Sequence, residues 1–303
     1  MNYKELLNTQ QEFDELAQKI GVRINPSDRI HRAYTALRKV EQIRNDKQKL
    51  QDYLAKNNKD GHVLQSVLDL AEICEILPAM KKENPDIIKD KMQKILNGTL
   101  LRKDENINNQ IARNTMFELV LLADLQQGGF NAHLGIINPD ILATAQSGRT
   151  YEIECKRLYE SHAAAVKKNI KNGFDQLNKS ELRFKENTFG ILALSVQRVL
   201  SRPDSYLQTT SPKSGLEFLS LEQKKFIDEH KRQWMNKNRA RSHRNVAIIV
   251  HHSGGMFVEG ENSFNKVTFA TTVNVWPERP EYELFKIDFQ QIRDSLNTYS
   301  TFT

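Results

Sequence analysis

Along the first 127 residues apolar positions recur every three or four residues and β-branched clusters are scarce, which predicts helices and almost no strand. Leu6, Leu7, Phe13, Leu16 and Ile20 form one stripe that ends at Gly21, and "NPSD" (Asn25 to Asp28) offers N-cap chemistry for the next helix. Ile30, Tyr34, Leu37, Val40 and Ile43 then mark a long helix reaching about Lys56. A helix from about His62 to Leu77 is expected to stop at Pro78, and another opens at "ENPD" with Pro85 in its first turn.

After Gly128-Gly129 the pattern shifts to short β-rich runs: "FNAHLG", "DILATA", "TYEIECKRL", "TFGILALSV" and "NVAIIVHH". Helical stretches separate several of them, so the expected class is α/β with a mixed central sheet flanked by helices. The tail "NKVTFATTVNVWPE" reads as further strand or hairpin, followed by a short helix near Phe289 to Leu296. The chain is therefore divided at 105/106. Residues 1–105 form a helical region suited to dimerisation or to binding a target or partner, and residues 106–303 form an α/β domain.

Composition narrows the class only a little. A chain of 303 residues, 39% hydrophobic and 27% charged, can bury a full core, and no apolar run is long enough to cross a bilayer. The opening "MNYKELLNTQQEFDEL" lacks the pattern of a secretory signal, so the cytoplasm is the expected location. Cys74 and Cys155 stand far apart, in the spacing of neither a disulfide framework nor a cysteine zinc site. A net charge of +6 favours an acidic partner such as nucleic acid, although both signs are abundant. No glycine-rich phosphate loop or dinucleotide fingerprint is present, and no nucleotide cofactor is expected.

The informative stretch is "INPDILATAQSGRTYEIECKR", Ile137 to Arg157. Glu-x-Lys occurs at Glu154/Lys156, Glu222/Lys224 and Glu229/Lys231, and Pro-Asp at Asp86, Asp140 and Asp204, so the letters alone select nothing. Context does. The later two Glu-x-Lys pairs lie in a helical pattern, where residues two apart do not share a face. Around Glu154 the pattern alternates, which on a strand turns Thr150, Glu152, Glu154 and Lys156 one way and Tyr151, Ile153 and Cys155 the other. "SGR" (Ser147 to Arg149) reads as a turn, so the two runs pair as a hairpin and Asp140 comes opposite Glu154 and Lys156. Converging carboxylates repel unless a cation lies between them, and hard oxygen ligands suit Mg²⁺ or Mn²⁺.

Glu118 supports this from a distance, standing in a helical stretch beside Ile111, Leu121, Leu122 and Leu125. Two readings stand for it: a helix-edge salt bridge to a lysine, or a carboxylate on an apolar stripe that is bound to metal.

These residues resemble the PD-(D/E)XK nuclease superfamily, with its restriction-endonuclease-like fold. A helix with a Glu (Glu118), a strand begun at Asp140, a hairpin, a strand bearing Glu154 and Lys156, and a crossing helix (Ser161 to Lys179) follow in that order, over about Asn106 to Leu200. Some members also carry a helical Gln with a Tyr four residues on. Gln176 matches, but Ser180 stands in the tyrosine's place, so Gln176 is either a site residue or an ordinary polar helix residue. The resemblance implies a Mg²⁺- or Mn²⁺-dependent endonuclease acting on double-stranded DNA, in a setting such as prokaryotic restriction or defence. It assigns metal ligation to Asp140, Glu154, the Cys155 carbonyl and Glu118, and positioning of the attacking water to Lys156.

Basic residues near that centre would track phosphates: Arg157, Lys167, Lys168 and Lys171, and the run His230 to Arg244 with Arg239, Arg241 and Trp234. That run reads equally as a solvated helix end. Glu152 is expected to be solvated. The histidines lack zinc spacing and are expected in core or surface roles. A homodimer, paired through the long helices, would let two sites cut both strands. A catalytically inactive nucleic-acid binder, an RNA nuclease and a partner-binding helical module are the competing expectations.

Overall fold

The computed structural model of the chain describes residues 3–43, 45–57, 61–101, 104–106, 108–180, 185–200, 207–234, 244–258, 263–275 and 282–302. The first half is helical as its periodicity predicts: α1 (Tyr3–Lys19), α2 (Arg29–Ile43), α3 (Lys47–Asn57), α4 (His62–Met80), α5 (Pro85–Leu96) and α6 (Ile111–Gln127). Gly21 closes the end of α1 with φ 69°, and the Asn84 side chain caps α5 by accepting from the Asp86 N–H.

Two expectations fail here. The helix drawn from Ile30 to Lys56 is two helices, because Asp46 caps a new one: its Oδ1 accepts from the Lys49 N–H at 3.1 Å. Pro78 does not stop α4, which runs on to Met80. Pro78 removes the N–H that would meet the Cys74 carbonyl, yet the turn beyond it still closes, the Lys81 N–H donating to the Leu77 carbonyl at 3.2 Å.

The second half contains β1 (Asn131–Leu134), β2 (Ile141–Thr144), β3 (Thr150–Arg157), α7 (Ala163–Leu177), β4 (Thr188–Ser195), α8 (Gln197–Leu200), β5 (Leu207–Thr209), α9 (Pro212–Glu229), α10 (Lys231–Trp234), β6 (Asn245–Val258), β7 (Ser263–Asn274), α11 (Tyr282–Leu296) and β8 (Thr298–Phe302). The described strands form one eight-stranded sheet in the order β1-β2-β3-β4-β6-β7-β8, with β5 beside β6. β1, β2 and β3 are antiparallel neighbours, β3, β4 and β6 run parallel, and β7 and β8 return antiparallel. The mixed α/β class holds.

Alternation along β3 sorts its side chains to the two faces of the sheet. Tyr151, Ile153 and Cys155 join the core under α6 and α11, while Leu192 and Leu194 of β4 join Val166, Ile170 and Phe174 of α7 on the opposite face. Gly173 lets α7 approach closely, since a β-carbon there would overlap the Leu192 side chain. The first core continues without a break from Leu6, Phe13 and Ile30 through Met80 and Leu122 to Tyr151, so no gap in packing marks the division expected at 105/106. Asp69 on α4 strengthens the junction, holding Arg29 of α2 at 2.6 Å and Arg113 of α6 at 2.8 Å in full burial. Among the described residues no helix is long and apolar enough to cross a membrane.

Candidate active site

The site begins with a backbone group that would otherwise be unpaired. β2 pairs with β3 from Thr144↔Thr150 to Ile141↔Ile153 and then ends. The next N–H on that edge of β3 belongs to Cys155, and a buried N–H without an acceptor is costly. Asp140, the residue just before β2, supplies the acceptor: its Oδ2 takes the Cys155 N–H at 2.7 Å. The loop that presents Asp140 is tight. The Gly135 N–H donates to the Asp140 carbonyl at 2.9 Å, and the Gly135 α-carbon lies so near the Pro139 carbonyl that no side chain fits.

Glu154 and Lys156 follow on β3, on the face toward α7. Glu154 is 1% exposed, and the Lys156 ammonium donates to its Oε1 and, at 3.2 Å, to the Cys155 carbonyl. Glu154 Oε2 is buried with no hydrogen-bond partner among the described residues. Burial, joined by the nearby charges of Asp140 and Glu118, pushes the Glu154 carboxyl up to about 7 against the pull of Lys156.

Glu118 projects from α6 and is met by a residue that the sequence did not single out. Lys91, on α5 of the helical region, donates to Glu118 Oε2, and the two side chains are only 14% and 13% exposed. Burial raises the Glu118 carboxyl above its ordinary range, Asp140 adds to this, and Lys91 and Lys156 oppose it. Burial works against the Lys91 ammonium, yet Glu118 and Asp140 hold it above its usual range. Lys91, Asn114, Thr115, Glu118, Ile136 and Asp140 line one groove of about 570 Å³. Glu154 and Lys156 are not part of that lining and sit on β3 behind Cys155.

The structure thus brings Glu118, Asp140, Glu154, Cys155 and Lys156 within electrostatic reach of one another, with the Cys155 thiol pushed well up by burial and then by the three acids. The donors are hard oxygens, one is orphaned and buried, and three carboxylates face two ammonium groups, which fits a divalent cation. The carboxylates are presently turned onto the Cys155 N–H and the two lysines. Among the described residues no three His, Cys, Asp or Glu side chains already close on a common point for a metal.

Other expected site residues fall elsewhere. Arg157 is not a surface phosphate contact: it is buried, bound to Glu105 at 2.7 Å and to the Tyr159 hydroxyl at 2.9 Å, because its position on β3 turns it under α6. Burial disfavours the Glu105 charge, yet Arg157 holds its carboxyl below the usual range. Glu152 is buried rather than solvated, and the Ser180 hydroxyl donates to it from beyond the end of α7. Gln176 is half-buried on α7, one turn before Ser180. Lys167 and Lys168 are exposed, and Lys171 is exposed and pairs with Asp175 at 2.6 Å. Trp234 is core, not a stacking platform, packing on Phe226 and donating to the Ile227 carbonyl at 2.9 Å. His251 and His252 are buried and held neutral, pushed down by burial to about 3 and about 4. Arg239 and Arg241 lie outside the described residues.

Lys91 was missed because nothing local distinguishes it among 44 basic residues. Glu105 was missed because its partner lies on a distant strand. Comparison with protein-family models, with curated proteins and with solved structures gave no match for this chain.

Proposed function

We propose that this chain is a Mg²⁺- or Mn²⁺-dependent endonuclease that hydrolyses phosphodiester bonds in DNA, built on a restriction-endonuclease-like core. The order of elements supports the reading: a helix bearing Glu118, three antiparallel strands, the crossing helix α7, and β4 parallel to β3. The observation that carries it is the bond from the Cys155 N–H to Asp140, which sets the Pro-Asp carboxylate beside the Glu-x-Lys strand.

Asp140, Glu154, Glu118 and the Cys155 carbonyl are the groups that would hold the ion. The chemistry such an ion would supply is a lowered pKa of water and stabilisation of charge building on the phosphate. Lys156, already shared between Glu154 and the Cys155 carbonyl, orients the attacking water and offsets negative charge at phosphorus. Water adds to phosphorus, the P–O bond to the leaving oxygen breaks, and that oxygen takes up a proton.

The test is cleavage of supercoiled plasmid with Mg²⁺, Mn²⁺ or EDTA, by the wild-type chain and by Lys156→Ala. Metal-dependent nicking that the substitution lowers at least about a hundredfold is the expected result. Binding of DNA without metal-dependent nicking would establish an inactive binder instead, and cutting confined to labelled RNA would reassign the substrate.

A further inference from the structure

The Lys91–Glu118 pair joins the helical region to the candidate centre, and two features set it apart from an ordinary structural ion pair. It lines the groove together with Asp140, and Asp140 contributes to holding the Lys91 charge. Lys94, the next basic residue of α5 on that wall, already pairs with Asp90 at 2.6 Å. Lys91 therefore pairs with one of the carboxylates that a divalent ion would use and lies in the field of the other.

We infer that Lys91 is the resident counter-ion of Glu118, giving up that carboxylate when a divalent cation binds and turning its freed ammonium to a phosphate of the nucleic acid in the groove. The inference rests on the nuclease reading of the site and adds to it a coupling between metal and substrate. Like charges explain the hand-over. A cation held by Glu118 and Asp140 removes the attraction that keeps Lys91 buried and adds repulsion to it. The flexible four-carbon stem of lysine lets the ammonium move a few ångströms without any shift of α5. Asn114 on the facing wall offers a further hydrogen-bonding group to the same strand.

The test uses the full chain. Mn²⁺ affinity is read by electron paramagnetic resonance, and affinity for a fluorescent DNA duplex by anisotropy in Ca²⁺ and in EDTA. Lys91→Met, freed of the competing ammonium, is expected to bind Mn²⁺ about tenfold tighter and the duplex in Ca²⁺ about tenfold more weakly, with Lys91→Arg close to wild type. Glu118→Gln, which releases Lys91 without any metal, is expected to bind the duplex more tightly than wild type in EDTA. If Lys91→Met fails to fold by circular dichroism, the Glu118→Gln result alone decides. Mn²⁺ binding by Lys91→Met no tighter than wild type, or duplex binding by Glu118→Gln unchanged in EDTA, overturns the inference while leaving the nuclease reading intact. A wild-type chain that binds neither Mn²⁺ nor duplex overturns both.

Discussion

Asp140 and Cys155 are joined by a 2.7 Å hydrogen bond from the strand N–H to the loop carboxylate. The bond ties the acid that precedes β2 to the backbone of β3 at the point where their ladder ends. One interaction thereby satisfies an edge N–H, sets the loop, and brings a carboxylate beside Glu154.

Gly135→Ala tests how far that loop governs the site. A methyl group there would overlap the Pro139 carbonyl, and relieving the clash moves Asp140 away from Cys155. Metal-dependent nicking should fall at least about tenfold, because small misplacements of reacting groups are costly. The melting temperature should fall as well, since the clash is with backbone and the Cys155 N–H loses its acceptor, so cleavage is compared at a temperature where the variant is folded. Retention of full cleavage would show that Asp140 tolerates displacement.

Glu154 should make the metal-free protein less stable as pH rises. Its carboxyl is raised in the fold from 4.5 to about 7, so between those values the folded state binds the proton more tightly than the unfolded chain. Stability is then highest below about 4.5 for this group, declines through 7, and carries a full penalty on the order of 3 kcal/mol above that. Glu154→Gln has no such titration. Urea denaturation should show the variant more stable than wild type at pH 8 and no more stable at pH 4.5, and parallel curves at both would refute the assignment.

Arg157→Ala is expected to act through stability and not through DNA affinity. It leaves Glu105 buried without its closest cation, a loss of about 3 kcal/mol. Glu105→Gln in the same chain should recover part of this. Duplex anisotropy in Ca²⁺ should match wild type at temperatures where the variant is folded.

Ser180→Ala removes a hydroxyl that donates to buried Glu152. The cost should be about 1–3 kcal/mol in chemical denaturation. The plasmid assay at 20 °C should be unaffected, which would separate this structural carboxylate from its neighbour Glu154.

Much of the fold is legible in local pattern. The period-two run at Thr150 to Lys156, the turn "SGR" and the position of Asp140 are enough to place a hairpin with the acid at its open end, and β2 and β3 pair in that way. Gly21 and Asn84 mark helix ends that the structure keeps. Where periodicity was continuous but a cap intervened, as at Asp46, the pattern alone joined two helices into one.

What the sequence by itself determined is most of the longer helices and strands, their apolar faces and the hairpin that carries Asp140, Glu154 and Lys156, because these depend on neighbours a few residues apart. Only the tertiary structure decided that Arg157 turns inward to Glu105, that Trp234 is buried, and that Lys91 reaches Glu118 from 27 residues away. Charged side chains choose partners by proximity after the helices have packed on the sheet. That proximity is set by apolar burial spread over the whole core, and no short stretch of chain contains it.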